Sequence, residues 1–413
     1  MIENMYYSKR YFFIVGSIIL FVFLFVTCTN KKNNEPSVSK RNGDSSLQYA
    51  GSVSCAKCHE NIYHSHQLTT HYLTSQKADA NTIKGSFQDG KNTFYYSPNI
   101  YVAAEKRNDK FYQVAYINGE EKFIKPFDIS VGSGKRGQTF IYWDKNKLFQ
   151  LPLTYFTPLD QWTNSPGYSN RVVYKRPITS RCLECHSTYF QKLEDDKSQV
   201  ESFSTTNIVY GVNCEKCHGS GVQHVAYHTQ NPNDKTSKYI INPKNFTRQQ
   251  SLDLCRLCHG GRLNDTRPSF SYQPGDKLSD YFKLDSLAQN INEVDVHGNQ
   301  YGMMAASKCF KMSNMTCNSC HSPHENETGK KEIFSQRCIS CHNAEKNNQC
   351  KAIHSSDKIL TKNCIDCHMP EQRSRAIMVL LQGEDVPTPA YMRSHYISIY
   401  KEESKKLLAK YSK

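Results

Sequence analysis

The sequence predicts a mainly α fold with low regular secondary structure and one small β-rich insertion. Three observations predict it. Only 38% of the 413 residues are hydrophobic, which is lean for a chain long enough for two or three ordinary domains, so something other than side chains is expected to fill the interior. Residues 93–160 carry aromatic and β-branched runs broken by turn signals, the pattern of short strands. From Pro177 to Pro370 a five-residue cysteine motif recurs at short intervals, joined by polar segments with little strand pattern.

In chain order, Lys9 and Arg10 precede an apolar run from Tyr11 to Thr27 that ends at Cys28 and is followed by the polar stretch Thr29 to Asp44. The run is too short to span a bilayer comfortably. It resembles a bacterial lipoprotein signal (residues 1–27) with Cys28 as the lipid-bearing residue, although Phe25, Val26 and Thr27 depart from the usual small residue before that cysteine. An uncleaved membrane anchor is the alternative. Either places the rest outside the cytoplasm, at the bacterial cell envelope facing the periplasm or the cell surface, because no later segment is apolar enough to span.

Residues 28–48 read as a flexible tether, too polar to offset the entropy of its own ordering. A first cysteine-motif segment follows at 49–92, in which Ile62, His66 and Tyr72 fall near helical spacing. The β-rich insertion occupies 93–176, with turns expected at Arg107-Asn108-Asp109, Asn118-Gly119 and Asp144-Lys145-Asn146. Its Gly132-to-Gly137 stretch has the glycines of a phosphate loop but lacks Gly-Lys-Ser/Thr and a following helix, so it reads as a hairpin turn. A body with six motifs spans 177–395, and the basic tail 396–413 reads as a helix with Leu407, Leu408 and Tyr411 on one face.

The motif is Cys-x-x-Cys-His. It occurs seven times, at Cys55/Cys58/His59, Cys182/Cys185/His186, Cys214/Cys217/His218, Cys255/Cys258/His259, Cys317/Cys320/His321, Cys338/Cys341/His342 and Cys364/Cys367/His368. Chance predicts about 0.03 such patterns in a chain of this composition. Two thiols three positions apart can add to the two vinyl groups of one haem while the next histidine reaches its iron. Zinc also favours Cys-x-x-Cys pairs, but it does not require a histidine after each second cysteine. The expected cofactor is therefore haem c, covalently bound at seven sites, about one per 55 residues once the signal is removed. Each haem brings two propionates, so the formal charge of +14 falls by about 7 to 14 on loading. Nucleic acid is not an expected partner.

Sixteen histidines less the seven of the motifs leave His64, His66, His71, His224, His228, His297, His324, His354 and His395. These suffice for a second imidazole on every iron, and bis-histidine haems exclude substrate and titrate low. Gly51-Ser52-Val53-Ser54-Cys55-Ala56-Lys57-Cys58-His59 with Ile62, Tyr63 and His71 resembles the first haem segment of multihaem cytochromes with cytochrome c-552/4-type domains, which are similar to hydroxylamine oxidoreductase and pentahaem nitrite reductase. Cys214-Glu-Lys-Cys217-His218-Gly219-Ser220-Gly221 with His224, Cys317-Asn-Ser-Cys320-His321-Ser322-Pro323-His324 and Cys364-Ile-Asp-Cys367-His368-Met369-Pro370 extend the resemblance. It covers residues 49–75 and 177–395. It implies a mostly helical fold with stacked haem pairs and distal ligands near His71, His224, His324, His354 and His395. His297 is a further candidate, and one of His64, His66 and His228 is expected to serve, with His66 carried forward. Met303, Met304, Met369 and Met392 read as packing residues. Cys309 and Cys350 remain outside the motifs and read as a disulfide in an oxidising compartment, with a thiolate ligand or a free thiol as alternatives.

The function expected is electron transfer: a membrane-anchored relay between redox partner proteins. The rival is a reductase or oxidase of a small nitrogen or sulfur compound at one open iron, though the Cys-x-x-Cys-Lys variant of pentahaem nitrite reductases is absent from the sequence. The insertion is a candidate docking element for a partner.

Overall fold

The computed structural model describes residues 49–413 apart from 169, 195–197, 285–290, 344, 347–348, 351–361 and 412–413. The apolar run, Cys28, the tether and His354 lie outside the described residues.

Strands begin at Ser75, after the first motif and the helix that follows it. They are β1 (Ser75–Lys77), β2 (Thr93–Ser97), β3 (Ile100–Arg107), β4 (Lys110–Ile117), β5 (Glu120–Pro126), β6 (Ile129–Val131), β7 (Thr139–Asp144), β8 (Lys147–Gln150), β9 (Leu153–Phe156), β10 (Gln161–Asn164), β11 (Arg176–Pro177), β12 (Ser187–Leu193) and β13 (Ser202–Tyr210). A four-stranded sheet runs β2-β3-β4-β5, and a seven-stranded sheet runs β1-β6-β7-β8-β13-β12 with β11 on β8; β9 and β10 pair with each other. Asn108 (φ 54°), Asn118 (φ 54°) with Gly119 (φ 80°), and Lys145 (φ 57°) supply the left-handed residues at the three expected turns. The glycine-rich stretch at 132–137 connects the antiparallel β6 and β7, as a hairpin loop should.

The two sheets face each other across an aromatic core. Phe94, Val102, Ala104 and Phe111 of the smaller sheet share a buried cluster with Phe140, Tyr142, Phe149 and Trp162. Ile129, Ile141 and Leu148 point the opposite way, into a second cluster with Leu183, Phe190, Phe203 and Phe270. A sheet buried on both faces needs both of its alternating sets to be apolar. Leu183 lies between Cys182 and Cys185, so the second motif is fastened to the back of the large sheet.

The helices are short. They are α1 (Ser52–Ala56), α2 (Glu60–Gln67), α3 (Ser180–His186), α4 (Cys214–His218), α5 (Val222–Gln230), α6 (Arg248–His259), α7 (Gln300–Ala306), α8 (Lys308–Lys311), α9 (Lys331–Ile339), α10 (Cys364–His368) and α11 (Lys401–Tyr411). In α6 the Thr247 side chain accepts from the Gln250 backbone and the Gln250 side chain accepts from the Thr247 backbone, a capping box that fixes its start. Late in the chain a two-residue ladder joins β14 (Asn264–Asp265) to β15 (Phe282–Lys283), and β16 (Glu371–Val379) pairs with β17 (Thr388–Arg393). No helix among the described residues is long and apolar enough to cross a membrane.

The expectation of a mainly α fold is overturned. Helix and strand contribute nearly equal shares, with several antiparallel sheets. Strand extends on both sides of the expected insertion, from Ser75 to Tyr210, and encloses the second motif. The reason is physical: the large sheet is covered on both faces, which erases polar alternation, and register shifts between Ser187 and Tyr189 and between Phe190 and Lys192 break the period in β12.

Gly211 ends β13 just before the third motif at φ +66°, where an added Cβ would collide with the Tyr72 carbonyl oxygen. Gly211→Ala is expected to lower stability by about 3 kcal/mol, read as a fall in the thermal melt and in the yield of folded chain. An unchanged melt would show that this crossing is loose.

Candidate haem centres

Each motif occupies one helical turn. The His59 N–H returns to the Cys55 carbonyl at 2.9 Å, His321 to Cys317 at 3.0 Å and His342 to Cys338 at 2.9 Å, while the second, third, fourth and seventh motifs lie in or end α3, α4, α6 and α10. Residues three apart share a helix face. The two thiols therefore stand side by side with the histidine just beyond them.

Exposure differs among the fourteen motif thiols. Cys58, Cys182 and Cys341 are exposed, whereas the other motif thiols are half-buried. The reason is positional: these turns lie at the surface of the fold, so a thioether formed at Cys58, Cys182 or Cys341 faces outward while its partner, at Cys55, Cys185 or Cys338, faces in. Attachment chemistry needs only a reachable thiol, and the exposure bears on how much of each group is covered.

The motif histidines meet second imidazoles from elsewhere in the chain. His59 faces His224 with ring centres 6.5 Å apart and planes at 16°. His218 faces His324 at 6.1 Å and 13°, His259 faces His71 at 6.1 Å, and His321 faces His395 at 6.2 Å. Two imidazoles bound at about 2 Å on opposite sides of one metal ion have ring centres about 6 Å apart. The spacing thus fits an iron between each pair. For His186, burial first and His297 next depress the imidazole, to about 4, which sets His297 in its neighbourhood.

Protonation supports the same use. Burial pushes His71 and His395 down to about 4, helped by His259 and His321 respectively, and burial also lowers His259, His297, His321 and His324. The neutral ring is the metal-binding form. Several rings are further oriented by a donated Nδ1–H: His224 to the Lys238 carbonyl at 2.7 Å, His218 to Ile241 at 2.9 Å, His368 to Ser398 at 2.9 Å, and His259 to the Gln300 side-chain oxygen at 3.1 Å. Such bonds leave Nε2 free for a metal. Backbone acceptors leave no mark in sequence, so these second partners could not have been read from it.

The remaining candidates stand apart. The His66 ring lies between two carbonyls, that of Pro323 at 3.2 Å from Nδ1 and that of Val212 at 3.0 Å from Nε2, and the neutral ring can donate to one of them. His64 is exposed beside Glu60. His228 follows His224 by one turn of α5, its ring 4.5 Å away. Met303 and Met304 are buried in packing roles. Cys309 and Cys350 are both free thiols, not a disulfide; Cys309 raises Cys320 and Cys338, and Cys350 raises Cys367.

The motifs also touch one another. Thiols hydrogen-bond between Cys55 and Cys214, Cys185 and Cys258, Cys255 and Cys317, and Cys338 and Cys364. Cys217 acts on Cys255, and Cys320 on Cys338. Cys341 acts in turn on Cys320, so the sixth motif meets the fifth through both of its thiols.

Residues 164–219, which hold the second and third motifs, match the family described as cytochrome c554 and c-prime. The outer cell wall cytochrome OcwA superposes with a TM-score of 0.52 at 16% identity, over 87% of this chain and 81% of that one. The likeness is to multihaem cytochromes. An undecahaem cytochrome from the S-layer of Carboxydothermus ferrireducens gives a TM-score of 0.40 at 17% identity, over 86% of this chain and 52% of that one. A comparison with curated protein sequences found no match. As in a multihaem cytochrome, haem c is the group that these thiols and paired imidazoles fit.

His71→Ala is expected to open one iron and add one high-spin signal to the oxidised electron paramagnetic resonance spectrum. His66→Ala should leave the number of low-spin haems unchanged. A low-spin count unaltered in H71A, or reduced in H66A, would reverse the two assignments.

Proposed function

We propose that the chain is a heptahaem electron relay, tethered at the bacterial envelope through Cys28, that moves electrons between redox partner proteins. One observation carries this reading: the motifs adjoin in an unbroken series. Thiol hydrogen bonds join the first motif to the third, the fourth to the fifth, the sixth to the seventh and the second to the fourth, and thiols of the third and fourth and of the fifth and sixth lie near enough to act on each other electrostatically. Bound haem c supplies iron that cycles between ferric and ferrous states. The chain's own residues fix the spacing, ligate from both sides at the paired positions and exclude water, which is how a protein tunes such centres without binding a reactive substrate.

The order along the series differs from the order in sequence, and its ends are the first and seventh motifs. Cys58, on the first, is exposed, which suits exchange with a partner there. Cys182 and Cys341 are exposed as well, but they belong to the side branch and to the penultimate motif. The envelope location rests on the N-terminal sequence; the structural neighbour OcwA is named as an outer cell wall cytochrome.

Purified full-length protein is expected to carry seven haems by pyridine haemochrome and intact mass, and to titrate over a low-potential range. Cys28→Ala should release it from the membrane fraction with the haem count unchanged. Fewer than seven haems would sink the relay, and membrane retention of C28A would sink the lipid tether.

A further inference from the structure

Among the described residues, four buried side-chain polar atoms find no partner: His228 Nε2, Arg256 Nε, the Tyr272 hydroxyl oxygen and Asn363 Oδ1. Each belongs to a residue at a cysteine motif. The His228 ring lies 4.5 Å from that of His224 and near enough to His59 of the first motif to act on it electrostatically. Arg256 stands between Cys255 and Cys258 of the fourth motif, its guanidinium 4.5 Å from the centre of the Tyr301 ring. Tyr272 shares an apolar cluster with Leu257 and Cys258 of the same motif, and the thiols of Cys255 and Cys217 act on its hydroxyl. Asn363 precedes Cys364 and already donates from its amide to Asp366 at 2.8 Å, which leaves it an acceptor only. The other three are donors, His228 with its proton on Nε2. A buried donor without an acceptor forfeits free energy, and its persistence in a fold points to a group that the chain itself does not supply. Arg256 has the greatest need, because it is charged and forms no ion pair among the described residues.

We propose that these three donors hold haem carboxylates: His228 at the first centre, Tyr272 where the third and fourth motifs meet, and Arg256 where the fourth meets the fifth through Cys255 and Cys317. This rests on reading the motifs as haem attachment sites. Each haem brings two propionates, which accept hydrogen bonds and donate none when ionised. A carboxylate carried into the interior needs donors or an opposite charge. The chain offers two neutral donors and one cation at the places where such groups would enter. His228 is then a positioning residue and not an iron ligand, since His59 already faces His224 at 6.5 Å with nearly parallel planes. The three side chains also act on the chemistry. A propionate's negative charge favours ferric iron, so a donor or cation that offsets it raises the midpoint potential of that centre, and losing the donor lowers it.

The test is a spectroscopic redox titration of purified full-length protein and of Arg256→Gln, His228→Phe and Tyr272→Phe, with electron paramagnetic resonance of the oxidised state. Each variant is expected to keep seven haems and the unaltered number of low-spin centres, while the share of one haem titrates at a lower potential. Arg256→Lys, which keeps the charge, and His228→Gln, which keeps a donor, should restore most of the shift. The thermal melt of Tyr272→Phe separates a held carboxylate from an idle hydroxyl: losing a bonded hydroxyl lowers the melt, whereas losing one without a partner leaves it unchanged or raises it. Unmoved potentials in all three variants would overturn the proposal and assign the donors to ordered water, leaving the relay standing. A low-spin centre lost in H228F would make His228 an iron ligand and overturn its assignment. Should Arg256→Gln or His228→Phe fail to fold, Tyr272→Phe, which removes a single oxygen, still decides. Fewer than seven haems on the unaltered chain would defeat the underlying reading and the inference with it.

Discussion

One constraint organises this molecule: imidazoles that lie far apart in sequence face one another at about the spacing that an iron between them would require. The pairings interlace. His71, after the first motif, faces the histidine of the fourth; His224, just after the third, faces that of the first; His324, just after the fifth, faces that of the third. Each pairing closes a long loop, which carries an entropy cost. A metal ion held between such imidazoles would couple ligation to folding, since the paired positions do not exist in the unfolded chain.

The motifs meet this demand by being two-faced. The thiols and histidine occupy one side of the turn, and the residues between the cysteines point elsewhere. Glu184, 1% exposed, accepts from the Phe270 N–H at 2.6 Å and from Arg181. Glu215 accepts from the Ala50, Gly51 and Gly221 N–H groups at 2.8 to 2.9 Å. Asp366 binds Arg393 and Lys331. These carboxylates satisfy loop donors that would otherwise be buried without partners, a cost of about 1 to 3 kcal/mol each. Each acid therefore anchors a remote segment against the back of the turn whose front carries the ligands, and the attachment site and the fold share one pentapeptide.

What the sequence revealed follows the range of the interactions involved. The Cys-x-x-Cys-His turn is local, so Cys55 to His59 and its six repeats were legible as motifs in the sequence. Their burial was not, because whether a thiol such as Cys341 faces outward depends on what the rest of the chain lays over its turn. The hairpin turns at Asn108 and Asn118-Gly119 were legible because left-handed backbone demands particular residues. Pairing across an iron is a tertiary event: His71, His224, His324 and His395 could be named as candidates, but that His71 belongs to His259 and not to His59 depends on the path of the whole chain. His66 shows the limit most clearly. It sits as close to a motif as His71, yet its ring lies between two carbonyls supplied by residues 212 and 323. The helical expectation failed inside the stretch that the resemblance to known cytochromes covered, above all at β12 and β13, where burial and the register shifts of β12 hide the period of a strand.

The same contrast separates two ways of creating order in one chain. Between Ser75 and Tyr210 the source is apolar burial: Phe94, Phe140, Tyr142 and Trp162 pack in a core typical of sheet on sheet. Beyond Cys214 the clusters are small, as in Leu252, Met304, Ala305 and Phe310. The second motif belongs to both regimes, since Leu183 is part of the sheet's second cluster while Cys185 touches Cys258. It is the hinge point between the cores. A rigid sandwich holding a side branch of the series fixes that branch independently of the ligand network, so the β region positions one centre without carrying the through-path.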